Sequence, residues 1–226
     1  MTGTVRAPPA SEQLNNASRL GTVGRVPAPI SQRIRRSATR LLGRQWDLPM
    51  LGRVTVVGPT TESLALIDQL WPDARHPSHV HGGWRWGAIS KACEDHFVIV
   101  SDGGDPQEPI AIWGSKSAST ITLEGRSYYR LDFIEVRPDL RGELPMAATF
   151  ALATVAMRAR ERRATGIVLA AFNIAGVGRA YEARGAVRGC PKGWSCPSDL
   201  VPYTFEEPAL DRLERETNEL ETTKAK

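Results

Sequence analysis

Several things are scarce in this sequence, and each shortage removes a class of protein. No apolar run reaches the roughly 18 residues of a membrane-spanning helix, so no such helix is predicted. The N-terminus lacks the apolar core of a secretory signal. Three cysteines (Cys93, Cys190 and Cys196) make no even disulfide framework, so a reducing, cytoplasmic setting is expected. Acidic residues are nearly missing from positions 1–45, which hold Glu12 against eight arginines. The net charge of +4 therefore resides in this segment, and the rest of the chain is slightly acidic. Histidine is limited to His76, His79, His81 and His96, all within one stretch. There is no P-loop, no Ser-His-Asp arrangement and no internal repeat. Gly176-Val177-Gly178 lacks the third Gly of a dinucleotide fingerprint.

The length, 226 residues, suits one domain with appendages. Residues 1–45 read as a basic N-terminal arm. Its first thirty positions are rich in Pro, Ala, Ser and Thr and poor in large apolar residues, the composition of disorder. Residues 31–44 can form a basic helix that docks Leu41 and Leu42 on the body. Their arginines suit a solvated arm, or a contact with nucleic acid or another acidic partner. They carry no aromatics for base stacking. Residues 46–206 hold the domain, and residues 207–226 read as a charged helix or tail.

Within the domain, strands are predicted at 53–58 and 96–102. A helix capped by Thr61 runs from Glu62 to Trp71. Residues 72–87 read as irregular. Residues 109–125 look like a strand pair or one long bent strand. The unit from Leu131 to Ala186 is the most informative. Leu131–Val136 is a strand. A loop punctuated by Pro138, Gly142 and Pro145 follows. Pro145 suits the first position of a helix, and Gly166 suits its C′ stop. Ile167–Phe172 is a wholly apolar strand, of the kind buried on both faces of a parallel sheet. Residues 201–205 form the last strand. Antiparallel strands followed by a β-α-β crossover make an α+β fold, with a mixed, partly antiparallel sheet flanked by helices. The loop before the Pro145 helix offers backbone amides and the Arg141 charge, a suitable cradle for a diphosphate.

The segment resembles the acyl-CoA-binding core of the GNAT-type N-acetyltransferases. That family has a strand ending in Val-x-Pro, then an Arg/Gln-x-x-Gly-x-Gly/Ala loop, then a helix. Val136-Arg137-Pro138 and Arg141-Gly142 match, while the two later family glycines fall on Leu144 and Met146. Asn173 and Tyr181-Glu182-Ala183-Arg184-Gly185 match the downstream signature with one extra residue between them, and the aromatic that follows is Ala186 here. The clear match covers about a quarter of the chain, and a weaker match in strand order extends from Val54 to Phe205.

The resemblance implies an acyl-CoA N-acyltransferase fold and transfer of acetyl from acetyl-CoA, or another acyl-CoA, to an amine-bearing acceptor. It puts the cofactor against Ile134 and Val136, against the loop and helix residues Arg141, Gly142, Glu143, Leu144, Met146 and Ala147, and against Asn173. Tyr181 matches the tyrosine that protonates the departing thiolate. Its alternative is a helix tyrosine packed on the core. Asp132 falls where some relatives hold an acid for the substrate amine. Asp132 and Glu135, three apart, point to opposite faces. Their alternative is an edge or solvent-facing charge, above all for Glu135. His79, His81, Trp84 and Trp86 lie where acceptors are gripped, or else the two tryptophans close the core. The histidines with Cys93 match no zinc spacing, so no metal is predicted. Cys190 and Cys196 read as loop thiols. Leu144 and Met146 add bulk where Gly lets a backbone approach a diphosphate. That leaves a second possibility: a non-catalytic GNAT-like protein, or a nucleic-acid-modifying one, which uses its arm to contact an acidic partner.

Overall fold

The computed structural model describes residues 39–71, 84–102, 107–116, 119–140, 145–173, 175–189 and 191–222. Two five-stranded sheets share one bent hairpin. The first sheet runs β1 (Gln45–Leu48), β2 (Gly52–Val57), β3 (Cys93–Ser101), β4 (Glu108–Lys116) and β7 (Phe133–Val136), in that spatial order. The second runs β5 (Thr120–Leu123), β6 (Arg126–Leu131), β8 (Gly166–Phe172), β10 (Leu200–Phe205) and β9 (Val187–Arg188). All neighbours are antiparallel except β6 and β8. The hairpin's base, β4 with β7, belongs to the first sheet, and its tip, β5 with β6, belongs to the second. The stretch expected as one strand, Leu131–Val136, is therefore cut at Asp132.

Among the described residues, five helices cover the sheets. α1 (Thr61–Leu70) starts one residue earlier than expected, because Thr60 is the cap. Ser63 N donates to Thr60 Oγ1 at 3.1 Å, and Thr60 N donates to Ser63 Oγ at 2.9 Å, a reciprocal capping box. α2 (Trp86–Ala92) falls at the end of the stretch that reads as irregular. Its N-cap, Arg85, makes no side-chain cap bond. Instead Asp68 of α1 reaches across and accepts from Trp86 N at 2.6 Å and Gly87 N at 2.9 Å. The cap comes from eighteen positions away, so no local signal announced the helix.

α3 (Pro145–Glu161) opens on Pro145 as expected. Its end corrects the expectation for Gly166. Ala164 N donates to Ala159 O and Arg163 N to Arg160 O, both at 2.9 Å, and Arg163 takes φ 59. This is a Schellman end with Arg163 in the left-handed position usually given to Gly. Gly166 instead begins β8, where a Cβ would lie 2.8 Å from the Tyr128 ring and 2.9 Å from Phe205 O. α4 (Ala175–Ala183) and α5 (Glu207–Thr222) complete the set. α5 buries Ala209, Leu210 and Leu213 in the main core. Among the described residues no helix is long and apolar enough to cross a membrane.

Strand alternation divides the interior in two. Phe97, Ile99 and Trp113 face the main core with Trp46, Phe150 and Val155. Val98, Val100 and Ile112 face a smaller core with Ile67, Trp71 and Trp86, under α1 and α2. Of the two arm residues expected to dock, Leu41 is buried and Leu42 is exposed. Residues 39–44 form a turn rather than part of a helix.

One buried ionic node ties β3 to α3. Asp95 is 4% exposed. It accepts from Arg158 Nη2 at 2.7 Å and Nε at 3.1 Å, from Arg162 Nη2 at 3.0 Å, and from Tyr129 Oη at 3.1 Å. Arg158 Nη1 also donates to Glu161 at 2.7 Å, and Glu161 accepts from Thr39 Oγ1 and Arg40 N, each at 2.7 Å. Arg158 and Arg162 thus cross-link three segments. Burial pushes the Asp95 carboxyl up, but Arg158 and Arg162 together hold it below the usual carboxylate range. Because the folded value is depressed, its stabilisation is complete above the unfolded value, roughly pH 4, and is lost as pH falls through the folded value. Asp95→Ala is expected to cost about 3–5 kcal/mol, since it leaves buried arginine charge uncompensated. Urea unfolding measures this, and Asp95→Ala combined with Arg158→Met should recover part of the loss.

Candidate active site

The two central strands begin paired and then separate. β6 and β8 run parallel from Tyr128↔Gly166 to Leu131↔Leu169. Beyond Leu131 the chain enters β7, which pairs with β4 from Gly114↔Phe133 to Ala111↔Val136. β8 continues alongside β10 to Leu200↔Phe172. A wedge therefore opens at Asp132, with β7 on one side and the end of β8 on the other. β7 is the edge strand of its sheet. Its four residues span roughly 13 Å at the usual strand rise. After β7 the chain makes a short 3-10 turn, Pro138–Leu140, and α3 begins at Pro145.

Asp132 holds the point of separation. Its N–H donates to Gly114 O at 3.2 Å. Its carboxylate accepts from Lys116 N at 2.8 Å and from Arg130 Nε at 3.1 Å. The acid expected to meet the substrate amine is thus engaged in bending the hairpin.

Glu135 lies on an edge strand but does not face solvent. It is 3% exposed and accepts a hydrogen bond from Trp86 Nε1 at 2.7 Å. Phe133 and Glu135, two apart on β7, project to the α2 side. Trp86 is fully buried, so its ring has no surface to offer a substrate in this state. Trp84 is partly exposed. Its ring meets Trp86 at 6.0 Å and Phe133 at 5.5 Å, both edge-on, and Phe172 at 6.4 Å. Lys116 Nζ lies 5.2 Å from the Phe133 ring centre. The Cys93 thiol is pushed up to about 11 by burial, then by the Asp132 charge, so it stays protonated at neutral pH.

Tyr181 sits on α4. That helix ends in a second Schellman motif: Ala186 N donates to Tyr181 O at 3.1 Å and Gly185 N to Glu182 O at 2.9 Å, with Gly185 at φ 92. The Tyr-Glu-x-x-Gly spacing is the spacing of that motif. It fixes how far Tyr181 stands from the helix end. The Tyr181 ring packs on Tyr203 at 5.4 Å and Phe205 at 6.2 Å. Burial pushes its hydroxyl up to about 12. Gly178, one turn earlier on α4, leaves room for the Tyr203 hydroxyl, which lies 2.4 Å from the site of a Cβ.

The remaining expected positions fall on β7, the first turn of α3 and the end of β8, or outside the described residues. Ile134 and Val136 turn their side chains onto the main core, as does Met146. Ala147 is buried in that core. Asn173 is exposed just past β8. Arg141, Gly142, Glu143 and Leu144 lie outside the described residues, as do His76, His79 and His81. Sequence reasoning missed Asp68, Phe133 and Phe172. Phe133 had a signal, since it shares the strand face of Glu135. The Asp68 cap had none.

No protein-family model and no curated protein sequence matches the chain. Solved structures do. An acetyltransferase of the GNAT family from Staphylococcus aureus Mu50 superposes with TM-score 0.51 at 12% identity, over 68% of this chain and 99% of that one. An acetyltransferase from Streptococcus agalactiae 2603 gives TM-score 0.50 at 12% identity, over 68% and 96%. The chain therefore has the GNAT acyl-CoA N-acyltransferase fold.

Proposed function

We propose that this chain is an acyl-CoA-dependent N-acyltransferase that acetylates a primary amine from acetyl-CoA or uses a related acyl-CoA. The observation that carries this reading is the wedge between β7 and β8 with the buried Glu135 carboxylate on β7; Tyr181 of α4, packed on Tyr203 and Phe205 of β10, supports it. An edge strand suits a pantetheine arm, whose amides can pair with it as an added strand does. The first turn of α3 suits a diphosphate, because helix N-termini attract anions. Ile134 and Val136 would present backbone to the arm, Met146 and Ala147 would offer first-turn amides, and Asn173 would border the far side. Arg141–Leu144 would complete the cradle.

Bound acyl-CoA supplies an activated thioester. The chain's own groups then divide the proton work. Glu135, fixed by the Trp86 indole, takes a proton from the acceptor ammonium, directly or through a water. Tyr181 keeps its proton up to about pH 12 and so can donate to a departing sulfur over the whole working range. Asp132 serves geometry: it holds the bend from which the wedge opens. Trp84 and the segment before it would form the acceptor's wall, with His79 and His81. The protonated Cys93 fits direct transfer rather than relay through an enzyme thioester.

Calorimetric titration of the full-length protein with acetyl-CoA is the first test, and saturable one-site binding is expected. The absence of binding would retire the transferase reading. With an accepted amine in hand, Glu135→Gln should lower kcat by about 10²–10⁴-fold, while the Gln oxygen still accepts from Trp86 and acetyl-CoA affinity holds. Tyr181→Phe should lower kcat by about 10²-fold or more, with unchanged acetyl-CoA binding. The wild-type rate should show no Tyr181-dependent fall until pH approaches 12. An unchanged kcat in Tyr181→Phe at every pH would remove the general-acid role.

A further inference from the structure

We infer that Trp84 closes the narrow end of the wedge and thereby limits the acyl group to a short one. This rests on the acyl-CoA reading of the wedge. Trp84 comes from the segment before α2, yet its ring touches both strands that separate. It lies 5.5 Å from Phe133, the first residue of β7, and 6.4 Å from Phe172, the last residue of β8. It therefore lies across the gap rather than along either wall.

The position of Phe133 says what the ring closes. The cradle at the start of α3 follows the C-terminal end of β7. A pantetheine arm laid along the β7 edge from that cradle runs toward the start of β7. Its thioester then arrives beside Phe133, where β7 and β8 are about to close onto the paired registers of β6 and β8. Beyond the thioester the ring that spans Phe133 and Phe172 is Trp84.

The plug is held firmly. Trp84 packs edge-on against Trp86, which has no exposed surface. Trp86 in turn is fixed by the Asp68 cap on its N–H and by its own indole bond to Glu135. A two-carbon acyl group fits short of this stack. A longer one must displace Trp84 from three aromatic neighbours. The ring thus acts as a ruler for the acyl chain.

The test compares affinities and needs no acceptor. Wild type, Trp84→Ala and Trp84→Phe, each as the full chain, are titrated with CoA, acetyl-CoA and hexanoyl-CoA. Wild type should bind acetyl-CoA at least about tenfold more tightly than hexanoyl-CoA, the scale on which a pocket rejects extra methylenes. Trp84→Ala should abolish or reverse that ratio with little change for CoA itself, and Trp84→Phe should fall between. CoA bound without discrimination by wild type, or the same ratio in Trp84→Ala, would overturn the ruler and leave the cofactor reading intact. Wild type that binds no CoA species would instead remove the cofactor reading and the ruler with it. CoA affinity and the circular dichroism spectrum of Trp84→Ala separate lost discrimination from lost folding.

Discussion

The site depends on one constraint: two parallel strands that begin paired are made to separate. β6 and β8 are held together through Leu131↔Leu169, and then β7 is pulled toward β4. The pull is anchored at Asp132, whose backbone and carboxylate both bond to the neighbouring strand at Gly114 and Lys116. Arg130 shares that carboxylate, so the bend carries an ion pair as well as backbone bonds. Without the bend, β7 would continue alongside β8 and no wedge would exist. Asp132, expected as an acid for the substrate amine, is thus hydrogen-bonded at the point where the strands part.

Behind the wedge stands a relay of positioning contacts. Asp68 supplies the missing cap of α2, and Gly87 leaves it space, since a Cβ there would come within 3.2 Å of Asp68 Oδ2. The capped helix sets Trp86, and Trp86 sets Glu135. A buried carboxylate needs such a donor, because burying a charge without hydrogen-bond partners is costly. The same stack supports Trp84 across the gap. On the opposite face, the Schellman end of α4 sets Tyr181, and Gly178 lets Tyr203 come close beneath it. Each proposed proton-handling group is therefore held by a rigid element rather than by a loop. The Asp95 node fastens α3, the helix that follows the wedge, to the first sheet at its far end.

Much of this was legible. The strand at Val136, the helix from Pro145 and the strand at Ile167–Phe172 follow from local chemistry: β-branched content, proline at a first helical position, and a wholly apolar run. The Tyr181-to-Gly185 spacing is a helix-end motif and could be read for that reason. Gly166 misled because a glycine after a helix looks like its stop. Arg163 took the left-handed position instead, and Gly166 made room for Tyr128. For Glu135 the solvent-facing alternative came from its being a charge on a strand; its indole donor lies forty-nine positions away.

What the sequence determined by itself was the order and kind of most elements, α2 excepted, because hydrophobic period, capping chemistry and turn residues act within a few positions. It also determined the uneven placing of charge, which needs no structure to count. Only the tertiary structure decided where the strands separate, that Asp132 bends and Glu135 lies buried beside the wedge, and that Trp84 spans the gap. Those outcomes depend on contacts between segments far apart in the chain. Cross-strand register, a cap donated by another helix and the packing of rings from three elements have no local signature for a single stretch of sequence to carry.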